Sequence, residues 1–293
     1  MTTATRRRPL IRTSSLSEKM KRRLTFVAEH AVAIAVALAF LYPLLIIVTT
    51  SLMSQQQASA GDFLPDRLVW HNYIDVFHDM AFGRDLWNTV LYAVLSSIGV
   101  LISSTPVAYA LSHMQWRGRT ALFIVVLAMM MVPDQITSLP LYILYTNFGW
   151  IGTLKPLIVP SFFFDAYCIF LLRQFFMTIP HEVTEAARID GASHFQTLTR
   201  VTLPMVKPAL AAVGLFQFLY AWNDFYNPLL YTGNNPHGQT LAVAISQLGS
   251  NGHIASYQLE MAAALMFLAP VVVIFLFAQK VFVEGINLTG VKG

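Results

Sequence analysis

The sequence predicts an all-α polytopic membrane protein with six transmembrane helices. Three observations predict it: the shortage of charge, the length of the apolar runs, and the side on which the positive charges fall. Of the 293 residues 56% are hydrophobic and only 12% are charged, against about 25% charged in a soluble domain. The charges cluster, leaving apolar stretches that reach the roughly 20 residues a helix needs to cross the hydrocarbon core. Six such stretches lie near 26–52, 86–111, 121–145, 156–177, 207–231 and 260–282. Lipid offers no partner to an unpaired backbone amide, so each is read as a helix. The alternating pattern of a membrane barrel strand is absent.

Orientation follows from the basic residues. With both termini cytoplasmic, only Arg67, Arg84 and Lys155 of the 19 Lys and Arg fall on the outer side. That asymmetry is the positive-inside signature. It also accounts for the formal net charge of +4 without nucleic acid, which is excluded as a partner in favour of the lipid bilayer.

Taken in chain order, residues 1–25 form a basic segment with Arg6, Arg7, Arg8 and Arg12, expected to be mobile or to lie on anionic headgroups. The apolar run from Phe26 to Leu52 exceeds a signal-peptide core and reads as a retained first helix. Residues 26–293 then form a single transmembrane domain. The outer segments 53–85 and 232–259 are too short for separate domains, and the second opens with the loop signal Gly233-Asn234-Asn235-Pro236. Cys168, the single cysteine, is expected to be a small buried apolar residue.

The segment 179–208, between the fourth and fifth spans, reads as two short helices separated by a turn. Pro180 suits a helix start, Gly191 a helix stop, and Pro204 a second break. Ala186, Ala187 and Ala192 leave little bulk, so another protein could approach closely. Apolar Val183, Ala187 and Ile189 alternate with Glu182, Glu185, Arg188 and Asp190, a mixture suited to docking in a groove.

These residues carry a resemblance. Glu185-Ala186-Ala187, then Asp190-Gly191-Ala192, then Leu203-Pro204 resemble the EAA loop of ATP-binding-cassette importer permeases. Ala221-Trp222-Asn223-Asp224 resembles the fifth-helix segment of the maltose-type, MalG-like members. Met131-Val132-Pro133 with Leu139-Pro140-Leu141-Tyr142, and Glu260-Met261-Ala262-Ala263-Ala264 with the ending Gly290-Val291-Lys292-Gly293, match in the same order. The resemblance covers roughly residues 26–293. It implies the type I ABC importer permease fold and a carbohydrate or sugar-like solute. The implied partners are a second homologous permease subunit, two cytoplasmic ATP-binding subunits and an extracytoplasmic solute-binding protein, with 232–259 as the candidate contact for the last. Glu185 and Asp190 would then make charged contacts with the ATPase, Gly191 would supply the turn, and the C-terminal tail would lie against the ATPase. The tail departs from the family pattern at Asn287-Leu288-Thr289 and Glu284. The localisation implied is a bacterial or archaeal cytoplasmic (inner) membrane.

No G-x-x-x-x-G-K-[ST] phosphate loop occurs, so ATP and Mg are expected on the partner subunits, with no cofactor in this chain and no enzymatic role. No HExxH zinc pattern or G-x-S-x-G elbow is present, and the His residues are scattered.

Polar groups in the spans are functional candidates. Asp134 and Asp165 fall near the middle of spans three and four, and two readings compete for each. They face a pathway and bond a solute hydroxyl, or they pair with a neighbouring helix and serve packing. Asn223 and Asp224 interrupt span five, either as a structural kink or as a contact for solute or binding protein; Trp222 beside them joins the candidate pathway set. The aromatics Phe162, Phe163, Phe164, Tyr167, Tyr220, Trp222 and Tyr226 suit the faces of a sugar but are also common lipid-facing or packing residues. Arg173, near the inner end of span four, is expected to snorkel towards the headgroups. Two other classes remain: an ion-driven transporter using Asp134 and Asp165, for which inverted repeats are missing, and a membrane enzyme, for which clustered surface His, Asp or Glu are missing.

Overall fold

In the computed structural model of the chain, residues 16–233, 235–248 and 256–290 are described, with side chains between residues 20 and 277 of those ranges. Every regular element among them is helical. Four helices are long and apolar enough to cross a membrane, and two bent pairs bring the number to as many as six.

Helix α1 (Leu16–Ser51) is continuous through the first span. Part of the basic segment expected to be mobile, from Leu16 onward, is therefore the first turns of that helix; residues 1–15 lie outside the described residues. The outer segment follows as α2 (Gln55–Ala60) and α3 (Asn72–Asp79). Buried Asn72 holds it by donating from Nδ2 to the carbonyls of Ser51 (2.8 Å), the last residue of α1, and Met53 (2.9 Å), just beyond it.

Helix α4 (Phe82–His113) is the hub. Its most apolar stretch is 39% buried, whereas that of α1 is 0% buried, so α1 presents its flanks outward while α4 holds the bundle together. Small residues let its neighbours approach. A Cβ on Gly99 would collide with Ser161 and Phe162, and Ser103 Oγ donates to the Ser161 carbonyl at 2.9 Å.

The third and fourth spans are broken rather than continuous. Helix α5 (Arg119–Met129) and α6 (Asp134–Asn147) meet at 93°. Pro133 lacks an N–H and disfavours helix at Val132, and its own backbone is extended (φ −65, ψ 135). The expected mid-helix Asp134 is therefore the first residue of a new helix. After α7 (Lys155–Ile158) a 3-10 turn, Val159–Phe162, leads to a break before α8 (Ala166–Phe176). Arg173, expected to snorkel, is engaged within the chain. Its Nε donates to the Leu111 carbonyl at 3.2 Å, and its guanidinium lies 3.9 Å over the Phe123 ring.

Helix α9 (His181–Ile189) leads to α10 (His194–Gln196), a π-helical stretch (Thr197–Thr202) and α11 (Leu203–Met205). The chain then turns by 82° into α12 (Lys207–Asn223). Pro204 is not the break; it occupies the first turn of α11, where its missing N–H does no harm, and the turn falls at Val206 (φ −105, ψ 15). Span five itself stops at Asp224 and resumes as α13 (Tyr226–Thr232). Helix α14 (Leu241–Leu248) packs on α4 and on α15 (Tyr257–Gly290), whose end extends past the expected boundary near 282. Residue 234 and residues 249–255 of the 232–259 segment lie outside the described residues, as do 291–293.

Candidate functional site

The 179–206 segment is built from local backbone chemistry. Extended Pro180 (φ −57, ψ 136) opens α9, and Gly191 closes it at φ +83. The N–H of Ala192 donates to the Ala187 carbonyl and that of Gly191 to the Arg188 carbonyl, both at 3.0 Å. This pair of bonds is the Schellman motif. Nothing lies within 4 Å of where a Gly191 Cβ would be, so the glycine answers to backbone angle and not to crowding. Two residues on, Ser193 caps the next helix reciprocally. Its backbone N–H donates to Gln196 Oε1 (2.8 Å), and Gln196 N–H donates to its Oγ (3.3 Å), a capping box.

One face of this segment is anchored. Val183, Leu198, Leu203 and Val206 pack with Tyr109 and Ala108 of α4, Leu172 and Phe176 of α8 and Ala209 of α12. Thr184 is buried, and the His181 ring sits edge-on to His113, centroids 5.3 Å apart. The other face is open. Glu185, Ala186 and Asp190 are exposed, Ile189 is 86% exposed and Phe195 73%. Of the residues expected there, Glu185, Ala186, Asp190 and Gly191 are on this open surface, Ala187 and Ala192 are half-buried at its edge, Leu203 packs into the base, and Pro204 beside it is exposed.

Deeper in the bundle, the two breaks in spans three and four meet. Asp134, opening α6, and Asp165, capping α8, line one cleft of about 610 Å³ with Phe164, Tyr167, Gln217 and Tyr220. Asp165 Oδ1 accepts the Cys168 N–H at 2.6 Å, so part of its role is to start α8. Cys168 itself is buried, as expected. Gln217 was not singled out in the sequence; an amide in an apolar span, one turn before Tyr220, was the available signal.

The Ala221-Trp222-Asn223-Asp224 segment does not join this cleft. Trp222 is 2% exposed and stacks on Phe218 (5.5 Å) and Phe267 (5.4 Å), in the core shared with Tyr92 and Tyr231. It is a packing residue here and does not line this cleft. Asn223 is exposed and bonds back to the Leu219 carbonyl at 2.8 Å. Asp224 accepts from Tyr92 Oη (2.8 Å), the Asn227 N–H (3.2 Å) and Asn227 Nδ2 (3.0 Å). Its carboxylate holds the kink between α12 and α13 to α4. Tyr92 was not anticipated, because nothing in sequence links positions 92 and 224.

A bundle of outward-facing apolar helices, with a cleft at its helix breaks and an exposed helical segment at one end, is the build of a multi-pass membrane protein. The chain belongs to the family of binding-protein-dependent transport system inner membrane components, whose profile matches residues 104–287. It is 31% identical to an arabinooligosaccharide transport permease, AraQ, of Halalkalibacterium halodurans over 94% of this chain and 100% of that one. It is 30% identical to the melibiose/raffinose/stachyose import permease MelC of Bacillus subtilis, covering 89% of this chain and 95% of the relative. In structure it matches a bacterial ABC transporter involved in import of the acidic polysaccharide alginate, with a TM-score of 0.77 at 25% identity, over 91% of this chain and 98% of that one. The chain is thus a permease subunit of a sugar ABC importer, in the all-α importer permease fold that the sequence predicts.

Proposed function

We propose that this chain forms half of the translocation pathway for a sugar or sugar-like solute and is driven by a separate cytoplasmic ATPase that docks on residues 179–208. The observation that carries this reading is the two-faced build of that segment. Ile189 and Phe195 are open to a partner, while Val183, Leu198 and Val206 are packed on α4, α8 and α12. A displacement of the open face is transmitted to the spans because packed interiors pass strain on and do not absorb it.

In this reading both termini lie in the cytoplasm of a cell whose inner membrane holds residues 26–293 as one permease domain. Glu185 and Asp190 meet charged groups of the ATPase, which holds ATP and Mg in its own subunits. A second permease completes the pathway, and a solute-binding protein delivers the solute at the outer end, with 232–259 as its contact. The Asp134–Asp165 cleft is this chain's share of the pathway.

The test is purification of the tagged chain from its native membrane beside Gly191→Pro. Proline cannot adopt φ +83 and removes the N–H that bonds Arg188. Wild type should bring down an ATPase and a second permease; the variant should lose the ATPase more than ten-fold and keep the permease. An ATPase retained undiminished by the variant would refute docking at this segment.

A further inference from the structure

The cleft is lined by Asp134, Asp165, Gln217, Tyr167, Tyr220 and Phe164, together with apolar side chains. None of its lining residues is Lys, Arg or His. A cavity with carboxylates and no cation presents a negative potential, which low-dielectric walls concentrate. The two carboxylates also stand where α6 and α8 begin, where the backbone would otherwise offer its positive end to an anion on the pathway. Asp165 takes the N–H of Cys168 for itself. The chain's own acids thus hold the places that a solute's carboxylate or phosphate would need.

We infer that this cleft selects the charge of the solute: it passes neutral or cationic saccharides and rejects uronate and phosphate sugars, with Asp134 and Asp165 as the specificity-determining residues. The rings of Tyr167, Tyr220 and Phe164 offer flat apolar surface to a sugar face, and Gln217 with the two carboxylates accepts or shares hydrogen bonds with its hydroxyls. The inference rests on the cleft being part of the pathway, and the experiment separates the two claims.

The test uses the assembled transporter in nanodiscs, with Cys168→Ala and Gln217→Cys in this chain. Rates of modification are measured with a cationic (trimethylammonium-ethyl) and an anionic (sulfonato-ethyl) methanethiosulfonate, each relative to its rate with free 2-mercaptoethanol. The cationic reagent should be favoured on the order of ten-fold over the anionic one, from two like-signed charges at close range in a partly wet cavity. Asp134→Asn and Asp165→Asn should each reduce that preference, and together abolish it. Asn caps a helix as well as Asp does, which preserves the start of α8 at Asp165, and Asp134 makes no cap bond to lose, so both variants retain the fold. A preference equal to that of the free thiol, or one unmoved by the Asn variants, overturns the charge selection and leaves the pathway reading standing. No reaction with either reagent means a cleft closed to water, which overturns both.

Discussion

Two conspicuous motifs in this chain are built in opposite senses. In the stretch from Glu185 to Asp190 all the side chains but the half-buried Ala187 are exposed, and hydrogen bonds at Gly191 and Ser193 hold the shape. In Ala221-Trp222-Asn223-Asp224 the ring and the carboxylate point into the bundle, and side-chain contacts hold the shape. The first motif spends few of its side chains on its own fold, which leaves them free for another molecule. The second spends Trp222 and Asp224 on keeping one broken span against α4 and α15. A run of unusual residues in a membrane protein is therefore not in itself a contact surface; its burial decides.

The comparison breaks most easily at Trp222. If its ring is a core element, Trp222→Ala should destabilise the chain by about 3–5 kcal/mol, as for large aromatic truncations in packed cores. Thermal unfolding of the purified complex in detergent would register this as a marked fall in melting temperature. A Trp222→Ala protein as stable as wild type, but defective in uptake, would return the residue to the pathway.

Asp224 should come next. Asp224→Ala leaves the Tyr92 hydroxyl, on a side chain only 4% exposed, without its acceptor. An abandoned buried polar group costs about 1–3 kcal/mol. Tyr92→Phe in the same chain removes the orphaned hydroxyl, so the double variant should recover part of that loss in a thermodynamic cycle. Additive losses would mean that the 2.8 Å bond is not what holds the kink.

How far these features were legible in advance follows the range of the interaction behind them. Gly191 as a helix stop is written into a few neighbouring residues, and the structure places it there at φ +83. Helical spans could be read because apolar length and charge are local sums. The breaks could be read less well. Pro133 lets a helix bend, but a 93° turn that makes Asp134 the start of a helix depends on what α6 packs against. Pro204 drew the second break two residues early, because the same missing N–H suits a helix start as well as a helix end. Asp134 and Asp165 share a cleft and Asp224 finds Tyr92, which are facts of tertiary packing between distant positions.

The smallest effect on stability, and the sharpest contrast with Trp222, is expected at Ile189. Both are large apolar side chains in a recognisable motif, yet Ile189 is 86% exposed and Trp222 is 2% exposed. Ile189→Ala removes methyl groups that touch little in this chain, and alanine favours helix slightly more than isoleucine does. Its unfolding should stay within about 0.5 kcal/mol of wild type, as for surface substitutions in general. If the open face is where the ATPase seats, the same change should still weaken the subunit's association. Burying an isoleucine side chain is worth about 1.5–3 kcal/mol, so a drop of at least ten-fold in ATPase retained per permease during washing is expected. Unchanged stability with lost association would mark Ile189 as a side chain that serves a partner. Lost stability would mean that the EAA segment, like the span-five motif, is consumed by its own fold, and the distinction between the two motifs would fall.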